Sequence, residues 1–155
     1  MTPQDLVKAF TKAAEGRSGK AMAALFTEKG VYHDVFYGSF EGRQRIAEMI
    51  DDWFYRHARD LRWDMLDPVN DSHNLYARYI FSYVSTVPEA KGRRVLFEGV
   101  ALMRLEGDLI AEYREIANTG PALLDMGFAP ERVAKILTRQ GALLLERPEA
   151  ARHRA

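Results

Sequence analysis

The chain has 155 residues, contains no cysteine and carries 22 basic and 22 acidic side chains, so its formal net charge is zero. A neutral chain lacks the basic surface that nucleic-acid-binding proteins need, and the missing cysteines exclude thiol nucleophiles, iron–sulfur clusters and cysteine–zinc sites. The length predicts one domain with a substantial core, and we expect its partner to be a small molecule or another protein.

The chain is expected to be cytoplasmic, with neither a membrane nor a nucleic acid as partner. Hydrophobic residues make up 47% and charged residues 28%, which is typical of a globular protein. The sequence holds no apolar stretch of about 18 residues or more. Its first residues, Met1–Asp5, lack the basic-then-apolar pattern of a signal peptide.

The N-terminal part predicts two helices and a strand. Thr2, followed by a proline and an acid, predicts the capped start of a first helix that ends near Gly16. Ser18 predicts the cap of a short second helix, which the glycine at position 30 closes. Residues 31–37 are rich in β-branched and aromatic side chains, which favour a strand.

The middle of the chain changes from a helical to a strand period. After Gly42, apolar residues recur at the spacing of one helical face: Ile46, Met49, Ile50, Trp53 and Phe54. Residues 61–65 alternate apolar and polar side chains, which predicts a strand, and residues 68–74 predict a turn. Three long strands are then predicted, at Leu75–Thr86, Arg93–Glu106 and Leu109–Asn118.

These elements predict the α+β class. Short turns between the late strands indicate antiparallel hairpins, so we expect a strongly bent antiparallel sheet wrapped around a long third helix. Ala129–Glu131 predicts the start of a C-terminal helix. We expect a single domain over residues 1–146 and a flexible tail over residues 147–155.

The late strands are apolar on both faces, which predicts a homodimer through the outer face of the sheet. In the strand from 93 to 106, one face carries Val95, Phe97, Gly99, Ala101 and Met103, and the other carries Leu96, Glu98, Val100, Leu102 and Arg104. Apolar residues are also expected on the outer face of the neighbouring strands: Ile80, Val84, Ile110 and Ile116. An antiparallel sheet in a monomer normally keeps one face polar, so the second face needs cover.

Several stretches of the chain carry a family resemblance: Ala23–Asp34, Gly38–Ile46, Ile110–Asn118, Leu123 and Gly127–Phe128. Over residues 6–128 the chain resembles the nuclear-transport-factor-2-like superfamily, and within it the SnoaL-like polyketide cyclases, ketosteroid isomerases and limonene epoxide hydrolases. The resemblance implies a cone-shaped domain, often dimeric, with an apolar pocket between the concave sheet and the helices. This superfold carries isomerases, hydrolases, dehydratases, cyclases and non-enzymes, so the reaction stays open.

Asp34 is the first candidate catalytic residue. By resemblance to the ketosteroid isomerases, it occupies the position of the carboxylate that moves a proton between substrate carbons. Burial raises the pKa of a carboxyl group and makes its anion a stronger base toward a carbon acid. The alternative is that Asp34 caps the following segment or pairs with an arginine.

Glu115 is the second candidate, as proton donor or as partner of Asp34. It shares a face of its strand with Ala111, Tyr113 and Ala117, which suits a cavity wall. Two inward carboxyl groups cannot both ionise easily, so one is expected to stay protonated. The alternative is an ion pair with an arginine on the dimer face, which a bulge that reverses the strand's parity would produce.

The remaining candidates are substrate-binding residues. Tyr32, Tyr83 and Tyr113 are candidates to orient a substrate oxygen, and further pocket positions are expected at Phe10, Trp53, Trp63, Phe97, Ala101 and Asn118. We expect His33 to point to the opposite face from Asp34 and to be a hydrogen-bonded structural residue. The four histidines lack the spacing of metal ligands, and no glycine-rich phosphate loop occurs, so neither a metal nor a cofactor is expected.

Departures from the family patterns reduce the number of reactions that are expected. Phe10 and Ala101 stand where the ketosteroid isomerases have their oxyanion donors, and losing one such donor costs roughly 10²–10³ in rate, so a steroid isomerase is not expected. Phe81 and Tyr83 stand where limonene epoxide hydrolase has an arginine and an aspartate. Asn118 stands where SnoaL-like cyclases often have an acid.

The sequence therefore predicts a small-molecule enzyme that performs cofactor-free acid–base chemistry on an apolar, oxygenated metabolite. Isomerisation, cyclisation, dehydration and hydrolysis all fit this description. The alternative is a non-catalytic module of the same fold that binds a small molecule or serves as a dimeric scaffold.

Overall fold

The computed structural model describes residues 1–154, which form five α-helices and six β-strands. The helices are α1 (Pro3–Glu15), α2 (Gly19–Ala24), α3 (Gly42–Asp51), α4 (Thr119–Asp125) and α5 (Pro130–Glu146). The strands are β1 (Phe26–Asp34), β2 (Gly38–Glu41), β3 (Ala58–Asn70), β4 (Asn74–Ser85), β5 (Arg94–Glu106) and β6 (Leu109–Ala117). Within the described residues, no helix is both long enough and apolar enough to cross a membrane.

All six strands form one curved sheet in the order β2-β1-β6-β5-β4-β3, which confirms the α+β class. Neighbouring strands are antiparallel except for β1 and β6, which pair in parallel across the long crossover between them. The pairing of β3 with β4 shifts register around Asp60 and again around Asp67, both of which have a φ of 51°. Such bulges bend a strand and increase its twist, so they help to curl this end of the sheet.

The concave face of the sheet holds the hydrophobic core. Helix α1 packs on β3, and α3 packs on β1 and α2. An aromatic stack joins the helices to the sheet: the rings of Phe10 and Tyr113 lie 5.0 Å apart, and those of Tyr32 and Tyr113 lie 4.3 Å apart. Because all three side chains are buried, this stack fixes α1 against β1 and β6.

Two helices are shorter than the sequence predicts. Helix α2 ends at Ala24, because the backbone from Phe26 onward pairs with β6 and then β2. Helix α3 ends at Asp51, and Trp53–Tyr55 form a separate 3-10 turn. The helical spacing of the apolar residues continues across this break, which is why the sequence suggested one long helix.

The end of the chain holds another short helix. Pro148–His153, within the predicted flexible tail, form a 3-10 helix. The Arg154 guanidinium donates hydrogen bonds to the backbone oxygens of Leu145 and Arg147, at 2.6 and 2.8 Å. Ala155, the last residue of the predicted tail, lies outside the described residues.

The faces of β5 follow the predicted alternation. Val95, Phe97, Ala101 and Met103 are buried, whereas Leu96 and Val100 are exposed. The prediction for Ile110 was wrong: its side chain is fully buried in the core. The cause is a register shift between β5 and β6 at Arg104–Leu105, which changes the parity of the first residues of β6.

Gly99 is a tight contact point of the sheet, and Gly99→Ala is expected to destabilise the protein. A Cβ at this position would press on the Ile116 carbonyl oxygen and lie 2.7 Å from the Tyr79 hydroxyl. Overpacking of this kind costs about 1–3 kcal/mol. The free energy of unfolding, measured by urea denaturation, should fall by that amount.

Gly141→Ala in α5 is the matched control. A Cβ there meets no other atom within 4 Å, so replacing a mid-helix glycine should stabilise the protein by about 0.5–1 kcal/mol. Equal effects of the two substitutions would contradict the close approach at Gly99.

Candidate active site

A cavity of about 740 Å³ opens between the concave face of the sheet, the β1–β2 turn, α4 and α5. Its volume lies within the range of small-molecule sites. Aromatic side chains form much of its wall: Tyr32, Phe36, Tyr37, Phe54, Trp63, Phe81, Tyr83, Phe97 and Phe128. Both predicted catalytic acids, Asp34 and Glu115, line this cavity.

Asp34 stands at the end of β1, where it both lines the cavity and holds a turn. Its Oδ2 accepts hydrogen bonds from the backbone N–H groups of Phe36 and Tyr37, each at 2.9 Å. The alternative capping role is therefore confirmed, alongside the position in the cavity. Burial raises the pKa of Asp34 above its usual value, although the two N–H donors oppose the shift.

Glu115 projects from β6 onto the concave face. The register shift in β6 precedes it, so Tyr113, Glu115 and Ala117 keep the predicted parity. The Tyr113 hydroxyl donates a hydrogen bond to Glu115 Oε2 at 3.2 Å. Among the described residues, no basic side chain forms a salt bridge with Glu115, so the alternative ion pair does not form. Burial and the nearby charge of Asp34 raise the pKa of Glu115 to about 7.

Three buried donors around the cavity have no hydrogen-bond partner within residues 1–154: the Tyr32 hydroxyl, the Trp63 indole N–H and the Tyr79 hydroxyl. Tyr32 and Trp63 line the cavity, whereas Tyr79 lies behind Phe97 against Gly99. Burial, followed by the charge of Glu115, raises the pKa of Tyr32 well above its usual value, so this hydroxyl remains a donor. An unsatisfied buried donor costs about 1–3 kcal/mol, which calls for a functional explanation.

Of the predicted substrate-binding residues, Tyr32, Trp63, Tyr83 and Phe97 line the cavity together with the two acids. Tyr113 lies behind the wall, where its ring stacks on Tyr32 and its hydroxyl donates to Glu115.

The other predicted pocket positions lie elsewhere in the described structure. Phe10 and Ala101 are fully buried in the core. The Trp53 ring packs on Phe40, 5.5 Å away between centroids, because the 3-10 turn after α3 directs it toward β2. Asn118 is exposed at the start of α4, where its backbone N–H donates to the Glu98 carbonyl.

His33 has the structural role that the sequence predicts. Its ring nitrogens lie 2.7 Å from Ser39 Oγ and 3.0 Å from Glu112 Oε1, away from the cavity. The described residues contain no cluster of three or more His, Asp or Glu side chains suited to a metal ion.

Sequence reasoning missed the contribution of the C-terminal helices to the cavity. Gly127, with a φ of 85°, ends α4 and turns Phe128 into the wall. Helix α5 contributes Arg132, Ile136, Arg139, Gln140 and Leu143. These five positions follow the spacing i, i+4, i+7, i+8 and i+11, so the helical period contained the signal, although the sequence analysis assigned no pocket residue to this helix.

A bent sheet with helices packed on its concave face is the fold of the nuclear-transport-factor-2-like superfamily. The SnoaL-like domain model matches residues 7–113, so the chain belongs to the SnoaL-like domain family. No curated protein matches the sequence significantly.

Solved structures share this fold at low sequence identity. A Catenulispora acidiphila protein with a ketosteroid isomerase-like fold, solved in complex with trimethylamine, has a TM-score of 0.69 and 18% identity, covering 84% of this chain and 98% of its own. A limonene-epoxide-hydrolase-like epoxide hydrolase of M. tuberculosis has a TM-score of 0.64 and 14% identity, covering 88% and 94%. A protein provisionally assigned as a SnoaL-like polyketide cyclase, from a Jannaschia species, has a TM-score of 0.68 and 13% identity, covering 83% and 93%. These similarities establish the fold.

The raised pKa of Glu115 predicts a pH-dependent stability. The folded state holds the proton more tightly than the unfolded chain, so the stability contributed by protonated Glu115 is lost as pH rises from about 4.5 to about 7. Glu115→Gln removes this titration. The difference in free energy of unfolding between the variant and the wild type should therefore change with pH. From pH 5 to pH 8 it should shift in favour of the variant by up to about 3 kcal/mol.

Urea denaturation of both proteins at the two pH values measures this difference. Glu106→Gln is the control, because Glu106 is exposed at the end of β5 and its carboxylate pairs with Arg104 rather than with a histidine. The control should gain nothing between pH 5 and pH 8. A pH-independent difference between Glu115→Gln and the wild type would contradict the shifted pKa.

Proposed function

We propose that the protein is an enzyme that moves a proton on an apolar, oxygenated small molecule without a cofactor. The observation that carries this proposal is the convergence of two carboxyl groups with raised pKa values and two unpartnered donors on one aromatic-walled cavity. Perturbed carboxyl groups in a cleft are typical of acid–base sites. Membership of the SnoaL-like family agrees with this chemistry.

The two acids take different roles because their environments differ. Asp34 is stabilised as an anion by two backbone N–H groups on Oδ2, which leaves Oδ1 to accept a proton from a carbon next to a carbonyl group. Glu115, with a pKa of about 7, is substantially protonated near neutral pH and supplies a proton elsewhere on the substrate. Asp34 then returns its proton to solvent or substrate, and Glu115 regains one.

The unpartnered donors complete this site. In the proposed step, negative charge develops on the carbonyl oxygen as the C–H bond breaks. The residues Tyr32 and Trp63 line the cavity, and their buried donors have no partner within the described residues, so we assign these two donors to that oxygen. They would replace the family donors, whose positions are occupied by Phe10 and Ala101 in the core.

Deuterium exchange into a fused-ring ketone tests this proposal directly. We expect the wild type to accelerate exchange at the carbons next to the carbonyl group of 2-tetralone in D₂O, followed by NMR. Asp34→Asn should reduce the rate by about 10²–10⁴-fold because the base is lost. Tyr32→Phe should reduce it by about 10²-fold and, because an unsatisfied buried hydroxyl is removed, leave the protein at least as stable.

Ser39→Ala is the control and should exchange at the wild-type rate, because Ser39 lies on β2 outside the cavity lining and its hydroxyl contacts the His33 ring. If the wild type binds 2-tetralone but exchanges its protons no faster than Asp34→Asn does, the alternative function is favoured, a non-catalytic small-molecule-binding module.

We also propose that two copies of the chain pair through the outer face of the sheet. This face exposes Ile80, Leu96, Val100 and Ile116, with 40%, 50%, 40% and 66% of each residue accessible. The outward residues of β5 and β6 also include both Glu98 and Arg114, so a two-fold arrangement offers each charge an opposite partner. A second copy therefore satisfies both the apolar and the charged parts of this face.

Ile116→Lys is expected to convert the dimer into a monomer, because it places a charge within the apolar patch, directly opposite Val100. Light scattering coupled to size-exclusion chromatography gives the mass of each species. Leu144→Lys, which alters an exposed leucine on α5, is the control and should remain dimeric. A monomeric wild type would rule out this interface.

A further inference from the structure

The charges around the cavity are separated along its depth. Asp34 and Glu115 come from the concave face of the sheet. Arg132 and Arg139 come from α5, across the cavity mouth, and both are exposed to solvent. They are seven residues apart, about two helical turns, so both lie on the face of α5 that lines the cavity. The cavity therefore has an acidic inner end and a basic outer end.

Neither mouth arginine is paired with an acid among residues 1–154. Other arginines of the chain do form salt bridges: Arg43 with Glu28, Arg56 with Asp52, Arg78 with Asp67 and Arg94 with Asp60. The Arg132 guanidinium instead stacks on the Phe128 ring, 3.9 Å from its centroid, which positions it at the cavity wall. Two unpaired guanidinium groups facing one cavity form a site for an anionic group.

We propose that the ligand of this cavity carries a carboxylate, held at the mouth by Arg132 and Arg139, while its apolar body and carbonyl oxygen point inward. The guanidinium fork matches a carboxylate, and the anion of Asp34 at the inner end repels one, so both ends of the cavity favour the same orientation. This inference rests on the proposed function, because it specifies the substrate class of the same site. The substrate class is thus an aromatic or fused-ring keto acid.

Two probes of nearly equal shape separate charge from apolar burial: naphthalene-1-acetate and its neutral amide, naphthalene-1-acetamide. Isothermal titration calorimetry at low salt gives both dissociation constants. We expect the wild type to bind the carboxylate at least about fivefold more tightly than the amide, since each partly exposed ion pair contributes up to about that factor. The preference should shrink as salt is added.

Arg139→Gln should lose most of this preference without weakening amide binding. Arg132→Lys keeps the charge and should retain a preference for the carboxylate. Lys135→Gln is the matched control, because Lys135 lies on α5 between the two arginines but outside the cavity wall. This control should bind both probes as the wild type does.

The outcomes separate the inference from the proposed function. Equal affinity of the wild type for the two probes, or a carboxylate preference that survives Arg139→Gln, overturns the anion site but leaves the aromatic cavity in place. Failure of both probes to bind overturns the cavity as a small-molecule site, and with it the proposed function. If Lys135→Gln also loses the preference for the carboxylate, that preference comes from the general positive charge of α5. This outcome also overturns the anion site.

Discussion

Placing two carboxyl groups in one aromatic cavity is the constraint on which the rest of this structure depends. Burial penalises the ionised form of each group, and ionisation of Asp34 makes ionisation of Glu115 harder still. The two groups have unequal environments: two backbone N–H groups stabilise the anion of Asp34, whereas burial and the charge of Asp34 outweigh the hydrogen bonds to Glu115 and keep its pKa raised. This inequality creates an acid and a base from similar side chains.

The curvature of the sheet makes room for this pair. Bulges around Asp60 and Asp67 bend β3, and the missing side chain of Gly99 lets the Tyr79 hydroxyl lie against β5. A flat sheet would bring the helices directly onto the strands and leave no cavity between them. Here α1 and α3 fill one end of the concave face with aromatic core, while at the other end α4 packs on β5 and α5 packs on α4 across the cavity. The same sheet thus supports a packed core and an open site.

The sequence predicted those parts of the fold that local patterns determine. Period-two alternation gave the strands β4, β5 and β6 to within a residue or so, and the inward position of Glu115 followed from it. It failed where tertiary pairing overrides local preference: the predicted second helix extends to Gly30, but β1 begins at Phe26, which pairs with Ile110 of β6. Ile110 was misplaced because a register shift leaves no mark in the pattern of side chains.

The residues of the candidate site likewise divide into those that local sequence patterns predict and those that depend on tertiary structure. Asp34, Glu115 and Tyr32 were predictable because strand parity and family resemblance act on the same residues. Trp53 was misassigned, because a break of one residue after α3 turns its ring toward β2. The contribution of α5 depends on where α4 ends and on the direction the chain takes after Gly127, neither of which periodicity encodes.

The unsatisfied hydrogen-bond donors of this protein are concentrated in one region of the structure. Within the described residues, the unpartnered buried side-chain donors are Tyr32, Trp63 and Tyr79, and all lie in or beside the wall that carries Glu115. Each such group lowers stability, and an apolar replacement of similar shape is available for each tyrosine. A fold under selection for stability alone would lose them, whereas a ligand oxygen in the cavity gives the wall donors a partner and offsets their cost. The unpartnered donors therefore identify the same wall as the two acids do, and they do so independently of the pKa values of those acids.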